Sequence, residues 1–235
     1  VDRLMASPRA RAGFRNFVDE YLELYGLEDL KKDPLIFTHM DADAGPSARE
    51  ETLLNFETLV FEEDGDYRDI LLSDRTFVNR KLASMYDVAA PARDGFAELR
   101  WGEDEPRQGL LTQASVLSLH AHAVSTSATL RGKFIREKLL CQELPPPPSD
   151  LNTALPDVTE SAPTLRDRVE QHMSDPSCAV CHEMMDPLGL GLENFDGLGR
   201  FRLRENGEMI DASGDLDGLE YDGPKGLAQV LSDSD

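Results

Sequence analysis

A short motif of cysteine and histidine carries the most specific chemistry in this sequence. Cys178 and Cys181 are three residues apart, and His182 follows directly. On a helix this spacing places both sulfurs on one side, where each can add to a vinyl group of a haem while the imidazole binds the iron. The motif therefore predicts one covalent c-type haem, with thioether bonds at Cys178 and Cys181 and with His182 as the proximal axial ligand.

A zinc ion is the main alternative to haem at this motif, because thiolates and imidazoles also bind zinc. A structural zinc site needs a fourth ligand, and the remaining cysteine, Cys141, stands alone beside a proline run. Ligands at the adjacent positions 181 and 182 are also difficult to direct at one small ion. A thioredoxin-like dithiol is disfavoured, since polar residues and a proline precede Cys178 where such a motif follows an apolar strand. We therefore interpret the motif first as a haem site and second as a zinc-binding interaction module.

The second axial ligand of the iron decides between electron transfer and catalysis, because two protein ligands favour an electron carrier and an open position admits small molecules. Met209 and His172 are the candidate distal ligands. Met209 has a soft thioether and is far enough along the chain to cross over. His172 could equally bond to a haem propionate or cap its helix. Met184 and Met185 are too close to His182 to reach the opposite face, and we expect them to line the pocket.

Other polar side chains have weaker signals. Arg131, Arg200 and Arg202 are candidate partners of the haem propionates, since guanidinium groups pair with carboxylates. His120 and His122 are alternate residues at a helix end, so at most one of them can face the haem. With two cysteines on the haem, Cys141 is left over, either as a buried free thiol or as the partner of a cysteine elsewhere.

The charge of the chain restricts its partners. There are 45 acidic against 24 basic side chains, a formal net charge of -21. This charge argues against binding to nucleic acid or to anionic membranes, which require the opposite sign. No apolar run approaches the roughly 20 residues that a membrane helix needs. We therefore expect a redox partner protein or adjacent domains of a larger protein as partners, and no membrane span.

The first part of the chain reads as a series of amphipathic helices. Apolar side chains at helical spacing predict a helix from Arg9 to Tyr25, with a stop at Gly26. Ser47 to Glu50 has the pattern of a capping box that begins a second helix. A third helix is predicted after Asp74. Residues 89–109 read as a surface connection, and further helices are predicted over 110–120 and 130–141.

The four prolines at 145–148 stop any helix and predict a domain boundary. A short helix from Thr164 through His172 and the haem segment follow, and Pro187 is expected to end that segment. Asn206-Gly207 predicts a β-hairpin. The predicted fold is mainly α: a helical region over 1–144, a proline-rich linker over 145–163, and a small cytochrome c-like haem region with one short β-hairpin over 164–235.

Several further motifs occur together with the haem motif. They are Gly109 to Leu117, Thr126-Ser127, Arg131-Gly132, the four prolines, His172, Asp186 to Gly189, Leu192 to Asp196, and Gly199-Arg200. As a set they resemble exported bacterial haem proteins whose segments are known as domains of unknown function 1592, 1588 and 1585. The resemblance runs from about Ala48 to the end of the chain.

This resemblance implies a cytochrome c-like module at the C-terminal end of a larger multi-domain protein outside the cytoplasm, most simply in the periplasm. It implies no established reaction. Relative to that pattern, the chain is expected to be truncated, without the usual C-terminal helix. We expect one-electron transfer as the function, and whether the module is itself an enzyme stays open. The alternative within the same chemistry is haem catalysis on peroxide or another small oxidant at an open sixth position.

Overall fold

The protein is mainly α-helical, as predicted. A computed structural model describes residues 2–144, 155–174 and 176–234. The helices are α1 (Asp2–Met5), α2 (Pro8–Tyr21), α3 (Ala44–Phe61), α4 (Asp69–Leu72), α5 (Arg80–Tyr86), α6 (Ala114–Leu119), α7 (Ala128–Phe134), α8 (Leu165–His172), α9 (Pro176–Leu190) and α10 (Gly223–Asp233). Single 3₁₀ turns lie at Leu24–Leu27 and Leu110–Thr112, and a π-helical turn at Ile135–Leu139 extends α7. Within the described residues, none of the helices combines the length and the apolar character needed to cross a bilayer.

The boundaries of α2 and α3 differ from the predicted ones. Ser7 caps α2 by accepting a hydrogen bond from the Arg9 amide, and Pro8 occupies the first turn, where its missing N–H is not needed. The capping box predicted at Ser47 is wrong. Ser47 lies inside α3, and its hydroxyl accepts a hydrogen bond from Asn79 at 2.8 Å. A buried tertiary contact thus replaces the local capping contact.

Two paired β-strands lie on either side of α5 in the chain, where only a helix and a surface loop were predicted. Strand β1 (Arg75–Val78) pairs antiparallel with β2 (Ala97–Arg100). The four residues of β1 are too few to show the period of two that identifies a strand. The pairing partner is also about twenty residues away, so no short turn motif marks the hairpin.

The second half contains the helix that carries the haem motif. Before it, Thr164 and Asp167 form a capping box at the start of α8, and the predicted helix there is confirmed. Helix α9 continues through Pro187 to Leu190, so the expected end at Pro187 is wrong. A proline inside a helix removes one backbone hydrogen bond. Here the last turn buries Leu188 and Leu190, and this burial outweighs the lost bond.

Two more hairpins and a helix follow α9. The predicted hairpin is confirmed as β3 (Arg204–Glu205) and β4 (Glu208–Met209), with Asn206 and Gly207 both at positive φ as its two-residue turn requires. A second hairpin, β5 (Ser213–Leu216) with β6 (Leu219–Asp222), and helix α10 were not predicted. Helix α10 packs against α4 and buries Leu227 and Leu231, and the expected absence of the usual C-terminal helix stays a prediction.

The four prolines and the rest of the first part of the predicted linker, residues 145–154, lie outside the described residues. Helices from both sides of this segment nevertheless contact each other. Helix α7 packs along α9, and α10 packs against α4. The division into regions at 145–163 stays a prediction.

A buried carboxylate links α3 to the elements around it. Glu51 is only 1% exposed, and its carboxylate accepts hydrogen bonds from the Thr76 hydroxyl at 2.6 Å and the Tyr86 hydroxyl at 2.5 Å. The Arg107 guanidinium lies 3.9 Å from the centre of the Tyr86 ring. Burial raises the pKa of Glu51 to about 7, although the two hydroxyls and Arg107 act in the opposite direction.

We expect this carboxyl group to make stability fall as the pH rises from 4.5 to about 7. The pKa of Glu51 is higher in the folded protein than the ordinary value of 4.5, so the folded state holds the proton more tightly. Its contribution, on the order of 3 kcal/mol, is complete below the unfolded pKa and is lost as the pH rises through the folded one. Denaturant unfolding at several pH values checks this, with Glu51→Gln removing the effect and Glu20→Gln, on an exposed side chain, keeping it. The same pH dependence in Glu51→Gln as in the wild type contradicts the prediction.

Candidate haem or metal site

Helix α9 positions the predicted ligands near its start. The backbone of residues 178 to 182 is helical, so Cys178 and Cys181 lie at i and i+3, on one side of the helix. Their side chains lie outside the described residues. The backbone thus has the spacing that two thioether bonds require, and the attachment itself stays a prediction.

The His182 side chain is oriented by a buried aspartate one turn further along α9. Its Nδ1 lies 2.6 Å from Oδ2 of Asp186, which is fully buried. The carboxylate can only accept, so in the neutral imidazole Nδ1 carries the proton and Nε2 keeps its lone pair. The hydrogen bond to Asp186 raises the pKa of His182, while partial burial opposes the shift. An imidazole held in this way presents Nε2 as a metal ligand.

A second helix completes this arrangement. The Thr129 hydroxyl of α7 donates a hydrogen bond to the other Asp186 oxygen, Oδ1, at 2.8 Å. Neither Asp186 nor Thr129 was predicted as a site residue. The i, i+4 spacing of His182 and Asp186 on a helix is a signal that could have identified Asp186. Thr129 has no such signal, because only the packing of α7 on α9 brings it there.

Two glycines bring α7 and α9 into backbone contact. A Cβ atom added at Gly132 would lie 1.8 Å from the Met185 carbonyl oxygen. One added at Gly189 would lie 1.8 Å from the Ala128 carbonyl oxygen. No side chain fits at either position, so the helices approach more closely than side chains normally allow. This close approach is what puts the short Thr129 side chain within hydrogen-bonding distance of Asp186.

His172, one of the two candidate distal ligands, lies beside His182. It is the last residue of α8, and the two imidazole ring centres are 4.9 Å apart at an interplanar angle of 69°. Two imidazole nitrogens on opposite sides of one metal ion are about 4 Å apart, and the ring centres lie further out. The observed distance is therefore shorter than that of an axial pair, and it matches two rings that meet at one side of a site.

Met209, the other candidate, is about half exposed on β4. Its hairpin is held at the opposite end of α8 from His172, where the Leu165 amide donates to Glu205 at 2.8 Å and Asn206 donates to the Pro163 carbonyl at 2.7 Å. The length of α8 separates this end from His172 by about 10 Å. The structure thus brings His172, and not Met209, next to His182. The identity of a distal ligand stays a prediction.

The expectation that Arg131 pairs with a haem propionate is wrong. This side chain is fully buried, and together with Arg202 it surrounds the buried carboxylate of Glu193. Burial raises the pKa of Glu193, an effect that both arginines oppose. Arg131 donates to backbone carbonyls in the turn after α9 and in α6: Leu192, Phe195, Asp196 and Leu117. It therefore fixes the end of the motif helix from within the core.

Four further predicted residues have simple environments. The His120 ring stacks on Phe134 with ring centres 4.4 Å apart, and burial lowers its pKa to about 4, so it is neutral. The Met185 side chain is buried, and the Met184 carbonyl accepts a hydrogen bond from Arg136 at 2.9 Å. Cys141 is exposed rather than buried, with its sulfur 4.0 Å from the Tyr21 hydroxyl.

The donor set fits a covalent haem: two thiols at helical i, i+3 spacing, followed by an imidazole whose Nε2 keeps its lone pair. Two family models match the chain. PSD4, described as a protein of unknown function (DUF1592), matches residues 1–88, and PSCyt3, described as a protein of unknown function (DUF1588), matches residues 107–205. The predicted resemblance to these two groups is confirmed, although the first match begins well before Ala48. No curated protein and no solved structure matches.

Proposed function

We propose, for a chain whose residues 1–88 match the DUF1592 model and whose residues 107–205 match the DUF1588 model, that the second segment is a module that holds one haem c covalently and carries single electrons. The observation that carries this proposal is the orientation of His182. Its Nδ1–H donates to the buried Asp186 carboxylate, so the lone pair of Nε2 is directed away from that contact.

Each residue of the motif has one task in this proposal. Cys178 and Cys181 would hold the porphyrin through two thioether bonds, and His182 would bind the iron. Asp186 and Thr129 keep the imidazole in one tautomer and one orientation. The haem, when bound, supplies an iron that changes between the ferric and ferrous states by one electron.

The charge of the protein supports a particular kind of partner. With a net charge of -21, an electron donor or acceptor with a basic surface is attracted, and an acidic one is repelled. Adjacent domains of a larger protein are the alternative partners. Since haem is attached to cysteines outside the bacterial cytoplasm, the proposal includes a periplasmic or otherwise exported location.

A structural zinc site is the second candidate function, and the position of His172 favours it. A tetrahedral zinc site needs four ligands, and the sequence alone offered three in the motif. The proximity of the His172 and His182 rings, at 4.9 Å between centres, supplies a fourth candidate on the same side as His182. Such an ion would tie α8 to α9 and serve stability rather than redox chemistry.

Expression in a bacterial host with and without haem-attachment machinery separates the two functions. We expect protein from the competent host to be coloured, to keep its haem after denaturation and to gain the mass of one haem, because thioether bonds survive unfolding. Protein from the other host should be colourless. Colourless protein of polypeptide mass from the competent host, with one equivalent of zinc by metal analysis, would overturn the haem proposal in favour of the zinc site.

A further inference from the structure

The Asp186 carboxylate has an unusually well-defined environment for a group next to a metal ligand. It is 0% exposed, and both of its oxygens have partners, the His182 imidazole at 2.6 Å and the Thr129 hydroxyl at 2.8 Å. A buried charge with two hydrogen bonds has little freedom to reorient, and water does not screen it. Its effect on the imidazole is therefore a fixed property of the fold.

A residue of the neighbouring helix α7 also holds this carboxylate. Thr129 lies on α7 between Ala128 and Gly132, the two positions where α7 touches the backbone of α9. The backbone of Thr129 therefore stays close to Asp186 as long as the two helices stay packed. The hydrogen bond from Thr129 to Asp186 thus depends on the packing of α7 against α9. The hydrogen bond between His182 and Asp186 depends on the helical geometry of α9 itself.

A carboxylate that accepts the Nδ1–H bond increases the electron density at Nε2. A more basic imidazole is a stronger donor to a metal, and hydrogen bonds of this kind tune both metal affinity and redox potential. A stronger donor stabilises the ferric ion more than the ferrous ion, because the ferric ion carries the larger charge. The fixed Asp186 carboxylate should therefore bias the iron toward the oxidised state.

We propose that Asp186, oriented by Thr129, is the positioning residue that lowers the reduction potential of the haem through His182. This inference rests on the proposed haem function and goes beyond it, since it assigns the direction in which the site is tuned. A low potential makes the reduced module a ready donor, so its partner is an electron acceptor with a basic surface. The role of Thr129 is to keep the carboxylate in the orientation that His182 needs.

Redox titration of the holoprotein tests this assignment. Asp186→Asn keeps the shape of the side chain but removes its charge, and we expect a positive shift of the midpoint potential. Thr129→Val should shift the potential in the same direction by less, and Thr129→Ser, which retains the hydroxyl, should restore the wild-type value. Glu183→Gln is the matched control, because it removes an exposed carboxylate of α9 next to His182 and should leave the potential nearly unchanged.

The outcomes separate this inference from the proposed function. A wild-type potential in Asp186→Asn with haem attached and His182 still bound, even with lower yield or stability, overturns the tuning role and leaves the haem function intact. Equal shifts in Asp186→Asn and Glu183→Gln also overturn it, since they indicate general charge rather than the hydrogen bond. If Asp186→Asn does not fold, the comparison of Thr129→Val with Thr129→Ser decides. A wild-type protein without haem overturns the proposed function, and this inference with it.

Discussion

Replacing both Cys178 and Cys181 with alanine is expected to abolish covalent haem attachment completely. Each cysteine supplies one thioether bond in the proposed site, so the double variant has none. A single replacement leaves one bond, and we expect such protein to carry less haem, all of it still linked to the polypeptide. Mass spectrometry of denatured protein from a host that matures c-type cytochromes measures the linked fraction directly.

Cys141→Ala is the matched control for the cysteine replacements. Cys141 is exposed and lies in a different part of the fold, beside Tyr21, so its loss should leave haem attachment at the wild-type level. Covalent haem in the double variant at the wild-type amount would contradict the assignment of Cys178 and Cys181. Equal losses in Cys141→Ala and the double variant would indicate a general folding defect instead.

Arg131→Met is expected to lower the free energy of unfolding by at least about 3 kcal/mol. The guanidinium is fully buried, and it donates to four backbone carbonyls that would each lose a partner. Burial lowers the pKa of Arg131 to about 10, so it is still a cation at neutral pH. Its removal also leaves Glu193 with Arg202 as the remaining cation in contact among the described residues. Denaturant unfolding measures the loss.

Two variants make this stability prediction specific. Arg93→Met removes an arginine that is 90% exposed and weakly paired with Asp94, and should change stability by less than about 0.5 kcal/mol. Arg131→Lys keeps the positive charge but not the planar group that reaches several carbonyls, so it should lose most of what Arg131→Met loses. Similar stabilities of Arg131→Met and Arg93→Met would show that the buried guanidinium contributes little.

Local signals in the sequence were enough for some elements and not for others. The helix that starts at Thr164 and the Asn206-Gly207 turn were predicted, because each depends on residues within a few positions of one another. Strand β1 and helix α10 were missed. A four-residue strand that pairs with a distant segment has no local signature, and α10 is stabilised by the surface it buries against α4.

Two predictions failed because tertiary contacts overrode local preference. Ser47 has the right neighbours for a helix cap, yet α3 begins earlier and Ser47 bonds to Asn79. Pro187 normally ends a helix, yet the burial of Leu188 and Leu190 extends α9 past it. In both cases the contact with another part of the chain contributes more than the local rule.

The sequence by itself determined the chemistry that the chain can offer: the candidate ligand types and their spacing at 178, 181 and 182, the acidic character, and the resemblance to two groups of unknown function. These depend on residue identity and on short-range order along the chain. Only the tertiary structure decided which side chains surround those ligands. It placed Asp186 and Thr129 behind His182, brought His172 beside it and kept Met209 at the far end of α8. The physical reason is that α7, α8 and the β3–β4 hairpin are positioned by packing and hydrogen bonds between distant segments, which no pattern of neighbouring residues records.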